Sequence, residues 1–208
     1  MLNDKDYWNE YYKTHRVNKD SSTFAKYIIN KLLPNKRLID LGCGNARDSI
    51  YFAQHNIEVL GIDYADDEIK YLNENFSKDN LKFIVQDMGA MGDLGKFDYI
   101  YSRFSLHAIS KMAEESLLNW ISNSLLIGGL FFLEVRSQKD TMFKQGKKIS
   151  DTENITDHYR RYSDFEEIKE KIINIGLEIL EDVESNNLSI VGDDNPVLIR
   201  IIAKKKNL

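Results

Sequence analysis

At 208 residues with a net charge of −5, the chain is expected to form one domain, 1–208, long enough for a sizeable core. The acidic balance disfavours non-specific nucleic-acid binding, and no apolar run approaches the ~20 residues of a membrane span. Cys43 is the single cysteine, which excludes an intrachain disulfide and a thiolate metal cluster and fits a reducing cytoplasm.

The first residues, Met1 to Asp6, lack the basic-then-apolar layout of a secretory signal, so a cytoplasmic location is expected. Tyr7, Trp8, Tyr11 and Tyr12 then fall at i, i+1, i+4 and i+5, one broad face of a helix over residues 4–13. A helix placed before the first sheet strand either caps the core or covers a site. His15 and Arg16 follow at its end. Phe24, Tyr27, Ile28 and Leu32 make the stripe of a second helix over 21–33, which Pro34 closes. Residues 1–33 form this N-terminal part, and 34–208 the core.

Arg37 to Leu41 is an apolar run of strand type, followed by the turn Gly42-Cys43-Gly44-Asn45-Ala46-Arg47-Asp48 and a helix over 45–55. Gly42 and Gly44 permit torsions that a Cβ forbids and let a ligand approach the main chain. The helix start adds free N–H groups and a positive dipole end. A dinucleotide fingerprint needs a third glycine where Arg47 stands, and Arg47 is too large for that packing role, which argues against NAD or FAD.

Asp40-Leu41-Gly42-Cys43-Gly44 instead resembles the first motif of class I S-adenosylmethionine (SAM)-dependent methyltransferases. Alanine at 46, where the family often has glycine, is the smallest departure. The resemblance implies SAM as cofactor, S-adenosylhomocysteine (SAH) as product, and Asp40, Gly42 and Gly44 at the cofactor. The Tyr-Trp-x-x-x-Tyr segment resembles the N-terminal lid of small-molecule members. That implies Tyr11 and Arg16 on the cofactor and Trp8 on the acceptor, with an aromatic contact to the sulfonium.

Residues 56–63 read as the second strand. It ends in Asp63, about 20 residues past the glycine turn, where an acid reaches a ribose. A carboxylate accepts from both ribose hydroxyls, although the same acid suits a helix cap. Tyr64 is placed against an adenine face. Ala65, Ile69, Leu72 and Phe76 pattern the next helix. The third strand, 81–86, ends in Gln86-Asp87-Met88. By the resemblance this is the adenine site, with an acid for the exocyclic amine and a main-chain N–H for a ring nitrogen. By itself, an acid after a strand is ordinary turn chemistry.

Residues 96–103 form the fourth strand. Arg103 and His107 lie just past its carboxyl end, where open α/β sheets hold their ligands. A helix over 111–126 should end at a left-handed cap on Gly128-Gly129, ahead of a strand over 130–136. The polar loop 137–161 is too long for a plain connection and closes on His158-Tyr159-Arg160-Arg161. Ser163 and Glu166 suggest a capping box for the following helix. Strands over 177–183 and 196–203 have no helical period between them, so they should be antiparallel. The expected fold is α/β: a seven-stranded Rossmann-like methyltransferase sheet with a closing antiparallel hairpin and an N-terminal helical lid. The resemblance covers nearly the whole chain.

Histidine's ordinary pKa lies near neutrality, so His107 is the candidate general base, with a helix-start packing role as the alternative. Arg103, Arg136, Arg160 and Arg161, with His158, suggest a small anionic acceptor bearing phosphate, phosphoramidate or carboxylate. The resemblance also implies Arg103 near the cofactor. No zinc-ligand spacing is visible, and no Asn/Asp-Pro-Pro-Tyr run follows the fourth strand, which disfavours methylation of DNA bases or glutamine. The Gly-Cys-Gly-Asn-x-Arg-Asp turn with a Tyr-Trp lid also resembles methyltransferases of bacterial surface-polysaccharide clusters. That implies O-methylation of a nucleotide-linked or glycan precursor. A monomer or homodimer is expected, without nucleic acid or membrane as partner. A thiol- or chalcogen-detoxifying methyltransferase and a non-catalytic SAM-binding module are the alternatives.

Overall fold

The computed structural model describes residues 4–15, 20–190 and 194–207. The amphipathic α1 (Asp4–His15) comes first, followed by the short α2 (Thr23–Ile28), whose first turn is capped by the Ser22 hydroxyl accepting from the Ala25 amide at 3.0 Å. The sheet then alternates with helices: β1 (Arg37–Leu41), α3 (Arg47–Gln54), β2 (Glu58–Asp63), α4 (Asp66–Asn75), β3 (Leu81–Val85), β4 (Phe97–Arg103), α5 (Lys111–Ser124) and β5 (Leu125–Arg136). Three short strands follow, β6 (Lys147–Lys148), β7 (Glu153–Ile155) and β8 (Tyr159–Arg161). The chain closes with α6 (Phe165–Asn174), β9 (Leu177–Ser185) and β10 (Leu198–Lys205).

Seven strands form one sheet in the order β3-β2-β1-β4-β5-β10-β9. The first five are parallel, and β10 runs antiparallel between β5 and β9. The expected α/β sheet with its closing hairpin is what the chain forms. Apolar side chains cover both faces. Phe24, Ile28, Phe52 and Leu72 pack from α2, α3 and α4 on one side, and Leu117, Ile121, Ile168 and Ile172 pack from α5 and α6 on the other. The strand order reverses between β1 and β4, so their carboxyl ends open a crevice, the usual ligand position in such sheets.

Three local expectations are corrected. Helix α5 stops at Ser124, and Gly128-Gly129 lies inside β5. Gly128 is left-handed (φ +78°), but it serves a register shift against β4 rather than a helix cap. The cap of α6 is Asp164, which accepts from the Glu166 and Glu167 amides, each at 3.0 Å. Ser163 cannot take that role because it is bridged to Ser137 in strand geometry. The segment after β5 is not one irregular loop, since β6, β7 and β8 form an antiparallel sheet within it. No helix among the described residues is long and apolar enough to cross a membrane.

Candidate functional site

Two cavities, of about 510 and 350 Å³, open at the carboxyl ends of β1, β2 and β4. The first is walled by Asp63, Tyr64, Asp87, Met88 and Ser105, and by Lys5 from α1. The second is walled by Asp40, Gly44, Arg47, Asp48, Arg103, His107, Arg136, His158 and Arg160. Four residues line both: Trp8, Tyr12, Gly42 and Phe104.

The glycine turn is held open from behind. The Asp63 carboxylate accepts the Gly44 amide at 2.9 Å through one oxygen and the Ala65 amide at 3.0 Å through the other. Burial raises its pKa, and these amides oppose the rise. Asp63 therefore organises the turn and also faces the first cavity. Gly42 (φ +72°) leaves room that a Cβ would take from the Ser105 side chain at 2.6 Å, and Tyr12 packs on the bare α-carbon of Gly44. Burial raises the Asp40 carboxyl to about 7, with Asp48 and Asp63 adding to the rise, and the bond it accepts from Ser49 Oγ at 2.6 Å opposes it. Asp48 accepts from the Ser22 amide and hydroxyl, each at 2.7 Å, and from Tyr101 Oη at 2.8 Å, knotting α2, α3 and β4 behind the cavity.

Asp87 accepts from the Gly89 amide at 2.7 Å, and with Met88 it walls the first cavity. Gln86 instead folds onto the Asp87 and Ala90 carbonyls, at 3.0 and 2.9 Å, and lines neither cavity. Trp8 and Tyr11 from α1 wall the second cavity, and Tyr64 walls the first. Arg16 lies outside the described residues.

The α1 helix is fastened over both cavities. Asn9 and Lys5 reach Asp66 at 2.9 and 2.7 Å. Tyr7 Oη donates to Asp157 at 3.0 Å and lies 2.8 Å from His158 Nδ1. The Trp8 and His158 rings meet edge to face at 4.9 Å. The core-cap and lid alternatives are thus not exclusive: the aromatic face packs on the body and roofs the crevice.

His107 is buried at the wall of the second cavity, and its Nδ1 has no hydrogen-bond partner among the described residues. Burial holds its pKa well below the usual histidine value, and the nearby positive charges of Arg136, Arg160, His158 and Arg161 push the same way. It is a neutral imidazole near neutrality.

The arginines divide into two kinds. Arg103 donates from Nε to Glu134 at 2.8 Å, and Arg161 pairs with Glu114; both carboxylates are completely buried. Arg161 does not reach the second cavity. Arg136 pairs with Asp140 at 3.0 Å and Asp194 at 2.5 Å, and Arg160 pairs with Asp157. The Asp194 and Asp157 side chains are 44% and 58% exposed. Each guanidinium already has a carboxylate, so the cavity carries balanced charge rather than the cationic wall the sequence suggests. The residues that sequence reasoning left without a role are Arg47, Asp48, Phe104, Asp157 and Asp194. Arg47 and Asp48 sit inside the turn motif itself, and the adjacency of Asp157 to His158 was the available signal for it. Nothing in the sequence marks Phe104.

Comparison with known proteins places the chain. The family described as "Methyltransferase domain" matches residues 32–181. A curated relative from Haemophilus influenzae, "Probable S-adenosyl-L-methionine-dependent methyltransferase TehB", is 28% identical over 127 residues, which is 60% of this chain and 43% of that protein. The chain thus matches less than half the length of this relative. A TehB-like SAM-dependent methyltransferase from Corynebacterium glutamicum has a similar structure, with a TM-score of 0.70, 19% identity and 97% of each chain covered. So does the glycopeptide N-methyltransferase MtfA in complex with SAM, with a TM-score of 0.69, 13% identity, and 90% of this chain and 88% of that one covered.

Proposed function

This chain belongs to the methyltransferase-domain family, and we propose that it transfers a methyl group from SAM to an oxygen of a small acceptor that carries an anionic group. The carrying observation is that the two cavities meet over Gly42, one walled by strand-end acids and the other by His107, Arg136 and Arg160. The donor set fits the cofactor. Asp63 retains lone pairs for ribose hydroxyls after binding two amides, and Asp87 with the Met88 main chain suits an adenine edge. Arg47 and, once ionised, Asp40 carry opposite charge beside Gly44 and suit an amino-acid zwitterion. When bound, SAM supplies a methyl group on positive sulfur, which needs alignment with the acceptor more than activation.

The chain's own groups then position the acceptor. An anionic group can take the place of Asp157 at Arg160 or Asp194 at Arg136, because these carboxylates are 58% and 44% exposed and can turn to solvent when displaced. The same exchange at Arg103 or Arg161 would take one of two cations from a fully buried carboxylate, leaving Glu134 with Arg200 alone and Glu114 with Lys171 alone. Anion recognition therefore belongs to Arg136 and Arg160, and Arg103 and Arg161 brace the wall. His107 lines the second cavity as a neutral imidazole with a buried, unpartnered Nδ1, and it is the group assigned to take the proton of a hydroxyl acceptor. A phosphate- or carboxylate-bearing glycan or sugar-nucleotide precursor, such as those of bacterial surface polysaccharides, has both features. A thiol methylator would want an apolar wall in place of Arg136, Asp157, Arg160 and Asp194. Lid (1–33) and core (34–208) act as one domain in this scheme.

The test is an acceptor screen with SAM and detection of SAH. Turnover should appear with hydroxyl acceptors bearing phosphate or carboxylate. Turnover with neutral thiols alone, or SAM binding without turnover on any acceptor class, would overturn the proposal.

A further inference from the structure

Five described residues other than glycine have left-handed backbone: Asn35, Ala46, Asn56, Asn187 and Phe104. Asparagine tolerates this region, whereas a bulky aromatic at φ +54° is a genuine outlier. Such strain persists only where the surroundings over-determine it. Here they do. The Phe104 amide donates to the Glu134 carbonyl at 2.9 Å, and the Arg103 guanidinium lies over the ring at 4.2 Å. Arg136 lies 5.9 Å from the ring, and the His107 ring centre lies 5.7 Å away.

The strained residue stands at the junction of the two cavities. Phe104 from the sheet joins Trp8 and Tyr12 from α1 to form an aromatic collar around bare Gly42. Trp8 and Tyr12 are stacked, with ring centres 5.8 Å apart. A ligand that fills both cavities lies against the residues of this collar. In SAM, the atom between the adenosine and the amino-acid chain is the sulfur. Aromatic rings attract a cation and have no such pull on its neutral counterpart. The guanidiniums against Phe104 do not spoil this, because Glu134, Asp140 and Asp194 together balance Arg103, Arg136 and Arg200.

We infer that Phe104 contacts the cofactor and reads the charge on its sulfur, favouring SAM over SAH, and that its left-handed backbone is what aims the ring at the junction. This rests on the SAM reading of the two cavities. Its consequence is for turnover: once the methyl group has left, the sulfur is neutral and the collar's attraction is gone, which eases product release.

Calorimetry with SAM and SAH on the wild type and Phe104→Leu tests the contact. Leucine keeps the bulk and loses the π face. SAM affinity should fall about 3- to 30-fold. SAH affinity should change by less than about twofold. Equal losses for the two ligands, or no loss for either, would overturn the contact. Thermal unfolding of Phe104→Gly against Phe104→Ala tests the strain, since both lose the ring but only glycine takes φ +54° freely. The glycine variant should melt higher, and an alanine variant melting as high or higher would overturn that part. A wild-type chain that binds neither SAM nor SAH would instead overturn the cofactor reading, so the two failures are distinguishable.

Discussion

The Gly44 amide donates to the Asp63 carboxylate at 2.9 Å, which ties the turn after β1 to the end of β2. Asp63 therefore shapes the ligand site and also lines it. In Asp63→Ala, two buried amides, Gly44 and Ala65, lose their acceptor. Stability should fall by roughly 1–3 kcal/mol in thermal unfolding, and SAM affinity should fall more than about tenfold in the same protein. Unchanged SAM affinity would leave Asp63 a turn organiser alone.

The two classes of arginine should separate experimentally. Arg160→Ala breaks a pair with an exposed carboxylate, so it should cost at most ~1 kcal/mol of stability while raising the acceptor KM about tenfold and sparing SAH binding. Arg103→Met leaves Glu134 with Arg200 as its remaining cation, and should lower stability by up to ~3 kcal/mol. Steady-state kinetics and melting curves on both variants check this. Reversed effects, with Arg103 governing KM and Arg160 governing stability, would refute the division.

For His107, the sign of the pH effect follows from its depressed pKa. The unfolded chain takes up a proton near the ordinary histidine value, but the folded chain resists until lower pH. The stability it contributes is complete above pH ~6.5 and is lost as pH falls toward the folded pKa. The rate profile should likewise be flat across neutrality. His107→Ala should lower kcat by ~10²–10⁴-fold for a hydroxyl acceptor, without abolishing SAM binding. Wild-type turnover in the variant at every pH would remove His107 from the chemistry.

Asp40 has the opposite sense. Its carboxyl, raised to about 7, is largely protonated at pH 6 in the free protein. The folded state holds a proton that the unfolded chain has released, so its contribution to stability declines as pH rises between ~4 and 7. A cationic amino group bound beside it favours ionisation and expels that proton. SAM affinity should therefore rise roughly tenfold from pH 6 to pH 7.5, with proton release on binding at pH 6, and Asp40→Asn should lose both effects. Calorimetry in buffers of different ionisation enthalpy measures the proton directly. A pH-independent affinity in the wild type would contradict the placement of Asp40 at the cofactor.

The sheet was legible because buried strands such as Arg37–Leu41 are apolar runs bounded by breakers, and their ends fix where acids and glycines must fall. Gly128 departs from the expected helix cap for a physical reason. A helix cap and a sheet bulge both need left-handed backbone, and only pairing with β4 decides between them. Strands β6, β7 and β8, two or three residues each, are too short to show a period. The arginines were visible as charges, but Glu134, Asp194 and Glu114 lie far along the chain from them, so the compensation was not. The strand-end position of Asp63 points to a ribose or to a helix cap, and its grip on Gly44 stays hidden in the sequence because it depends on how β1 and β2 register. The strain at Phe104 is a torsion, which no residue letter records.

We propose the crevice over Gly42 as the SAM site. Calorimetric titration of the purified chain with SAM, SAH and NAD tests it most directly. SAM and SAH should each bind at one site per chain, and NAD should not bind, because Arg47 stands where a pyrophosphate-binding turn requires its third glycine. Binding of NAD together with no binding of SAM or SAH would contradict the account.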